Sequence, residues 1–391
     1  LHSTNSSCDY RPVVDTHSHR HTKSQKSNII RLMTKRKGTF FPTPAFLRMA
    51  SVGLDISDKS IKYAELAESK GSLKILRHGE VLVPPGVIVS GKIEDKKKMI
   101  EILKTLKKKE SLKFIRASLP EEQIYSFEIQ VPVGKESAVR EAIELSLEEH
   151  IPIKAQDATF DFEVIKDDGK NVLASVSAAP VSFVNSYVDI FESAGLIPLS
   201  FELEAGAIAR TIIPKGDKRY FMIVDFGQTR TGISIIGDSS VKFTTSIDLG
   251  GFALTRMVEK SVGVTFEEAE KLKLEVGLNS SSDKKDVYNA ILSGVGVLRD
   301  EINKHYVYWH THKDDAGGIR PKIEKIIFCG GNANLKGLIE YLESTLRTDV
   351  EIGNPWVNIF DLKDEVPSIQ RDEALSYTPA LGLALADFFY D

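Results

Sequence analysis

Cysteine is nearly missing from this chain: 391 residues hold two, Cys8 and Cys329. That number excludes a disulfide framework and a Cys-built zinc cluster, and it fits a reducing compartment. Long apolar runs are missing too. None approaches the roughly 20 residues of a membrane-spanning helix, so contact with a membrane is expected only through a partner. The opening residues lack the apolar stretch of about 7–15 residues of a secretion signal, and a cytoplasmic protein is expected. Basic charge is not in excess. Lys and Arg number 51 against 55 Asp and Glu, a net charge of −4, so no global field draws in nucleic acid or anionic lipid.

What remains is the composition of a soluble protein with a full core, 42% hydrophobic and 27% charged. At about 150 residues per domain the length suggests two or three domains. Residues 1–48 differ from the rest: Ser, Thr, His, Arg and Lys dominate, hydrophobic periodicity is weak, and His2, His17, His19 and His21 cluster there. They are expected to be a disordered or non-native leader, with Met49 as the natural beginning. Within them Val13-Val14-Asp15-Thr16-His17-Ser18-His19 resembles the strand-ending His-x-His of metal-dependent hydrolases. No ordered strand–helix series follows to supply further ligands, so no metal is assigned to it.

From Ser51 the periodicity is clear. Strands are expected at Ser51–Ile56, Ile61–Leu66 and Leu73–Val83, then an amphipathic helix at Asp95–Lys109 that buries Met99, Leu103 and Leu106. The lysine-rich outer face of this helix reads as solvated. Strand, helix and hairpin across 131–179 form an inserted α/β subdomain, with helix Lys135–Glu149 burying Val139, Ile143 and Leu147 and Asp167-Asp168-Gly169-Lys170 as the hairpin turn. After Pro214-Lys215-Gly216-Asp217 the opening pattern returns as strands Tyr220–Phe226, Thr231–Ile236 and Val241–Asp248. Helices follow at Phe252–Val262, at Phe266–Glu275 behind the N-cap Thr265, and at Lys284–His310. His305, Trp309, His310 and His312 read as a packed helix end. A strand Ile323–Cys329, a helix Leu335–Leu346 and a closing helix Pro379–Phe389 complete the chain. The expected division is a first domain of 49–130 with 180–213, the insert 131–179, and a second domain 214–391.

The repeat carries the chemistry. Val52-Gly53-Leu54-Asp55-Ile56-Ser57-Asp58-Lys59-Ser60 and Ile223-Val224-Asp225-Phe226-Gly227-Gln228-Thr229-Arg230-Thr231 share one design: a buried strand ending in Asp, a tight polar turn and a second strand. Repetition at this spacing marks a duplicated domain. Hairpin tips expose backbone N–H groups that no ladder uses, and these can cradle phosphate oxygens. Gly227 permits close approach; Ser57, Ser60, Thr229 and Thr231 offer hydroxyls; Lys59 can place a positive charge beside a terminal phosphate. Asp55 and Asp225 are suited to holding Mg²⁺ through its retained waters.

These segments resemble the two phosphate motifs of the actin-like ATPase superfamily. Three more match in order. Phe201–Arg210 looks like the first connecting helix, whose acidic residue, here Glu204, orients the attacking water. Phe328-Cys329-Gly330-Gly331-Asn332 looks like the adenosine motif, and Ala380–Ala386 like the second connecting helix. Ala269-Glu270-Lys271-Leu272-Lys273 resembles the helix whose Glu270 and Lys273 reach the nucleoside. The resemblance implies an α/β actin-like ATPase fold, two duplicated ribonuclease-H-like domains with an inserted small α/β subdomain, binding ATP and Mg²⁺.

Within the superfamily the chain is similar to the PilM family of type IV pilus assembly proteins. The resemblance rests on the Asp55–Lys62 opening, on Ser146-Leu147-Glu148-Glu149-His150-Ile151-Pro152-Ile153 in the insert, and on Ala194-Gly195-Leu196-Ile197-Pro198 ahead of Glu204. It implies an adaptor on a pilus, secretion or competence platform. Such an adaptor binds the cytoplasmic N-terminal peptide of a PilN-like inner-membrane protein beside the insert, with homo-oligomerisation left open. The alternatives are an FtsA-like division ATPase or filament protein and a catalytic ATPase or kinase. The ending Phe388-Phe389-Tyr390-Asp391, without a basic tail, is unlike FtsA. Superfamily members commonly carry Gly where Ser57 stands, so weak or no hydrolysis is expected.

Overall fold

The computed structural model describes residues 51–69, 72–313, 318–363 and 365–389. The 1–48 leader and its His17–His19 pair lie outside the described residues. Five consecutive buried residues make β1 (Val52–Ile56) the centre of the first sheet. It pairs antiparallel with β2 (Ser60–Ser69), which pairs antiparallel with the edge strand β3 (Ser72–Leu82). After a small hairpin, β4 (Ile88–Val89) and β5 (Lys92–Ile93), comes α1 (Lys96–Glu110). Asp95 caps it by accepting the Lys98 N–H at 2.9 Å, and Met99, Leu103 and Leu106 are buried. The chain then lays β6 (Phe114–Leu119) parallel to β1.

The insert follows: β7 (Tyr125–Pro132), α2 (Glu136–His150), β8 (Ala158–Asp167) and β9 (Asn171–Pro180). Its sheet order is β7-β9-β8, and Val139, Ile143 and Leu147 of α2 pack with Val131, Phe160 and Val176 into a core of its own. Helix α3 (Val181–Ser193) returns to β10 (Ile197–Leu203), parallel to β6, and α4 (Glu204–Ile212) leaves the sheet.

The second half repeats this plan. Strands β11 (Tyr220–Phe226), β12 (Thr231–Gly237) and β13 (Ser240–Ile247) form an antiparallel meander. Helices α5 (Gly251–Val262), α6 (Phe266–Val276) and α7 (Lys285–Thr311) lead to β14 (Ile323–Cys329), parallel to β11. Helix α8 (Leu338–Leu346) then leads to β15 (Val350–Ile352), parallel to β14. The sheet orders β10-β6-β1-β2-β3 and β13-β12-β11-β14-β15 are the same topology, third-second-first-fourth-fifth, read in opposite directions. The duplication visible as two short motifs is therefore a duplication of whole sheets.

After a short helix, α9 (Arg371–Ala374), comes α10 (Thr378–Phe389). A boundary of 214–391 would place α10 with the second half, yet it packs on α4 and on β1 of the first. Small residues make that contact possible. A Cβ at Gly382 would lie 1.8 Å from the Ala207 carbonyl oxygen, and one at Gly53 would lie 2.0 Å from that of Ala380. Beneath the crossing, buried Arg210 donates to the Glu202 carboxylate at 2.6 Å and to the Gly382 carbonyl at 2.6 Å. Charge, connecting helix and closing helix are thereby joined.

Candidate functional site: a polar cleft between two hairpins

In an open sheet, ligands collect outside the carboxyl ends of parallel strands. Here two such ends face each other across a cavity of about 300 Å³, at the lower end of the ~300–1,000 Å³ range of ligand pockets. The β1–β2 turn closes on itself, with the Ser57 N–H donating to the Ser60 carbonyl at 2.9 Å and its hydroxyl to the same oxygen at 3.0 Å. Asp58 turns outward and accepts the Gly91 N–H at 3.0 Å. Lys59 reaches over the cleft mouth, its Nζ 5.7 Å from the ring centre of Phe252 on the other half.

The β11–β12 turn is closed by the Gly227 N–H donating to the Arg230 carbonyl at 3.1 Å. It is sewn to the start of α5, whose Gly251 and Phe252 N–H groups donate to the carbonyls of Gly227 and Gln228 at 3.0 and 2.9 Å. Gly330 completes the cradle at φ +84°, where a Cβ would come 2.3 Å from an Asp225 carboxylate oxygen.

Asp55, Glu204 and Asp225 converge on the cavity. Burial pushes Asp55 above the usual carboxylate range, while Lys62 and the Ser118 hydroxyl, donating at 2.9 Å, pull it back. Burial, then the charge of Asp55, lifts Asp225 to about 6. Glu204, the first residue of α4, is pushed well above its ordinary value by burial and then by Asp55, with Arg230 opposing. Clustered, desolvated carboxylates of this kind suit a hard cation. Among the described residues, however, no three His, Cys, Asp or Glu side chains form a ready metal cage. An ion there would take most of its ligands from water and phosphate.

Of the residues expected at the site, Asp55, Ser57, Lys59, Glu204, Asp225, Gly227, Thr229, Gly330 and Gly331 line the cavity. Five do not. Thr231 is fully buried and its hydroxyl donates to the Leu249 carbonyl at 2.5 Å. Ser60 is buried and its hydroxyl accepts from Lys62 at 3.0 Å. In both cases strand pairing turns the side chain inward, away from a phosphate. Glu270 accepts from the Thr255 hydroxyl and pairs with Lys273 at 2.9 Å. Lys273 in turn donates to the side-chain oxygen of Asn332 at 3.2 Å, and the Asn332 amide donates to the Gly227 carbonyl at 2.9 Å. This chain, with Lys273 buried at its centre, buttresses the second hairpin from behind.

Several cleft residues were not singled out from the sequence: Arg230, Lys62, the pair Glu121 and Glu122, and Asp372, Glu373 and Ser376 around α9. Glu121 and Glu122 had a signal, because Leu119 ends a parallel strand and the next residues sit at its carboxyl end. Burial lifts Glu121 to about 7 even though the Thr244 hydroxyl and the Ala205 N–H donate to it at 2.5 and 3.1 Å.

Two sheets of one topology around a polar cleft, spanned by crossed helices, define a protein of the actin-like ATPase fold. Residues 53–388 match the family model of the type IV pilus assembly protein PilM, and the chain belongs to that family. It superposes on the solved PilM–PilN type IV pilus biogenesis complex with TM-score 0.71 at 21% identity, covering 87% of this chain and 99% of that one. The ethanolamine utilization protein EutJ of Carboxydothermus hydrogenoformans superposes with TM-score 0.51 at 17% identity, covering 88% and 90%. The cell division protein FtsA of Staphylococcus epidermidis is 23% identical over 261 residues, 61% of this chain and 50% of its own. The FtsA of Enterococcus hirae is 25% identical over 226 residues, 52% and 51%. The chain thus spans about half the length of the FtsA relatives it matches, and FtsA is the more distant kinship. No helix among the described residues is long and apolar enough to cross a membrane.

Proposed function

We propose that this chain is an ATP-binding adaptor of a type IV pilus assembly platform, working at the cytoplasmic face of the inner membrane through a membrane-anchored partner. The observation that carries the nucleotide reading is the pair of equivalent hairpins opening on one cavity, with Asp55 and Asp225 at corresponding strand ends. The free N–H groups of the turns would hold phosphate oxygens, and the two Asp carboxylates would hold Mg²⁺ through water. When bound, that ion supplies positive charge that keeps nearby carboxylates ionised and screens the phosphates. Gly330 and Gly331 would lie against the nucleoside. Glu204 is the candidate to orient an attacking water. Slow or no turnover is the expected outcome, because Ser57 stands where a glycine would let the phosphate approach the first hairpin more closely.

Calorimetric titration with Mg²⁺–ATP tests this reading. The wild type should bind, Asp225→Asn should bind far more weakly, and a silent wild type would refute it. Sustained ATP turnover that disappears in Glu204→Ala would favour the catalytic alternative. For the partner, the family membership and the superposition on a PilM–PilN complex support recognition of a short cytoplasmic peptide of a PilN-like protein. The outer face of α2, where Leu145 is 80% exposed, is the candidate site. A synthetic N-terminal peptide of the single-span partner should bind the wild type and lose affinity to Leu145→Asp; equal affinity for both proteins would move the site elsewhere.

A further inference from the structure

One cleft residue belongs to a phosphate hairpin yet points its charge at the opposite half of the molecule. Arg230 sits at the tip of the β11–β12 turn, and its side chain is 20% exposed. Its guanidinium crosses the cleft to Glu122 at 2.5 Å and to Glu204 at 3.5 Å, both on the first half. Burial works against its charge, but Glu204, Glu122, Asp58 and Glu121 together hold it firmly protonated. Glu122 is shared, because the same carboxylate oxygen accepts from the Ser246 hydroxyl of β13 at 2.9 Å. Next to it Glu121 accepts from Thr244 of β13, and farther along Glu128 of β7 pairs with Lys242 at 2.7 Å. The 120–123 turn and β13 therefore form a polar seam between the halves, and Arg230 lines the cavity together with the seam residues Glu121, Glu122 and Ser246.

We propose that Arg230 senses the terminal phosphate of a nucleoside triphosphate, exchanging Glu122 and Glu204 for phosphate oxygens and so loosening the seam between the 120–123 turn and β13. A guanidinium fork pairs with a phosphate at least as well as with a carboxylate. The hairpin that carries Arg230 is the one whose backbone would cradle the phosphates. A diphosphate leaves the exchange incomplete, so Arg230 stays on Glu122 and the seam stays shut. Differential affinity for the two seam states is what lets a ligand shift them. This inference rests on the nucleotide reading and adds a device that reports which nucleotide is bound.

ATP and ADP, each with Mg²⁺, titrated calorimetrically into the wild type, Arg230→Gln and Glu122→Gln test it. Arg230→Gln should weaken ATP by roughly ten- to hundred-fold, the worth of one charge-assisted contact, and leave ADP nearly unchanged. Glu122→Gln removes the competing carboxylate and should tighten ATP several-fold, the opposite direction. In the wild type, hydrogen exchange of amides 121–123 and 241–247 should speed up with ATP and not with ADP, and the difference should vanish in Arg230→Gln. If the wild type binds neither nucleotide, the nucleotide reading itself has failed. If it binds both and Arg230→Gln weakens them equally, or Glu122→Gln weakens ATP, the sensor is refuted while nucleotide binding stands.

Discussion

Gly330 and Glu121 show how single residues in the cleft trade stability for a site. Gly330 has φ +84° and lies against the Asp225 carboxylate and the Phe226 carbonyl. Any side chain there meets both backbone strain and a steric wall. Gly330→Ala should cost about 1–3 kcal/mol of stability and abolish ATP binding. Gly331→Ala, whose Cβ would rest 3.7 Å from the nearest atom of Ser376, should leave the stability of the nucleotide-free protein nearly unchanged. Urea melts and calorimetry separate the pair, and equal behaviour would refute the account. Glu121 makes a pH prediction. Burial raises its folded pKa to about 7 from an ordinary 4.5, so the folded state binds more protons than the unfolded between those values. The stability Glu121 contributes is fully present below about pH 4.5 and is lost as pH rises through about 7. Urea midpoints should therefore fall from pH 5 to pH 8, and Glu121→Gln, which can still accept from Thr244, should shrink the fall. A steeper fall in the variant would contradict the assignment.

At the scale of elements, the crossing of α4 and α10 depends on one missing side chain. The Ala207 carbonyl occupies the space a Cβ at Gly382 would need, so Gly382→Ala must push two helices apart, an overpacking cost of about 1–3 kcal/mol. The ion pair beneath is more sensitive still. Arg210→Ala leaves Glu202, 3% exposed, with a buried and unpaired charge, a loss of about 3–5 kcal/mol. The double variant Arg210→Met with Glu202→Leu should recover most of that loss, and chemical denaturation of the set would expose a failure. The small residues of Ala380–Ala386 announced close packing in the sequence. Where the helix packs was not legible, because periodicity states which face is buried and not against what. Helices α1 and α2 were legible because each buries one regular face, and the central strands because they are short, nearly continuous apolar runs. The N-cap Thr265 made the start of α6 equally plain, and in the fold it forms a capping box with Glu268.

For the molecule as a whole, two short repeated strings disclosed the duplication because a tight polar turn between two buried strands constrains the residues in it. The sheets around them share a topology but, in sequence, only an apolar character. The same logic explains which of the expected site residues do not line the cavity. Ser60 and Thr231 have the right chemistry, but each opens its strand, β2 or β12, with its side chain buried. Arg230, Glu121 and Glu122 acquire meaning only when the two halves are set face to face. That confrontation places like charges together, since burial and Asp55 both raise Asp225 to about 6. A cleft built this way is less stable empty than it could be. Asp225→Asn removes one of the repelling charges and should raise the melting temperature of the nucleotide-free protein. On the nucleotide reading proposed above, the wild type should gain from Mg²⁺–ATP through mass action, about 2.7 kcal/mol at a hundred times Kd, because a ligand held by both hairpins would bind the folded state and not the unfolded one. In Asp225→Asn that gain should disappear. Thermal melts of the two proteins, each with and without Mg²⁺–ATP, decide the matter: a variant that melts lower when empty and still gains from nucleotide would mean that the carboxylates do not face one another across a phosphate site.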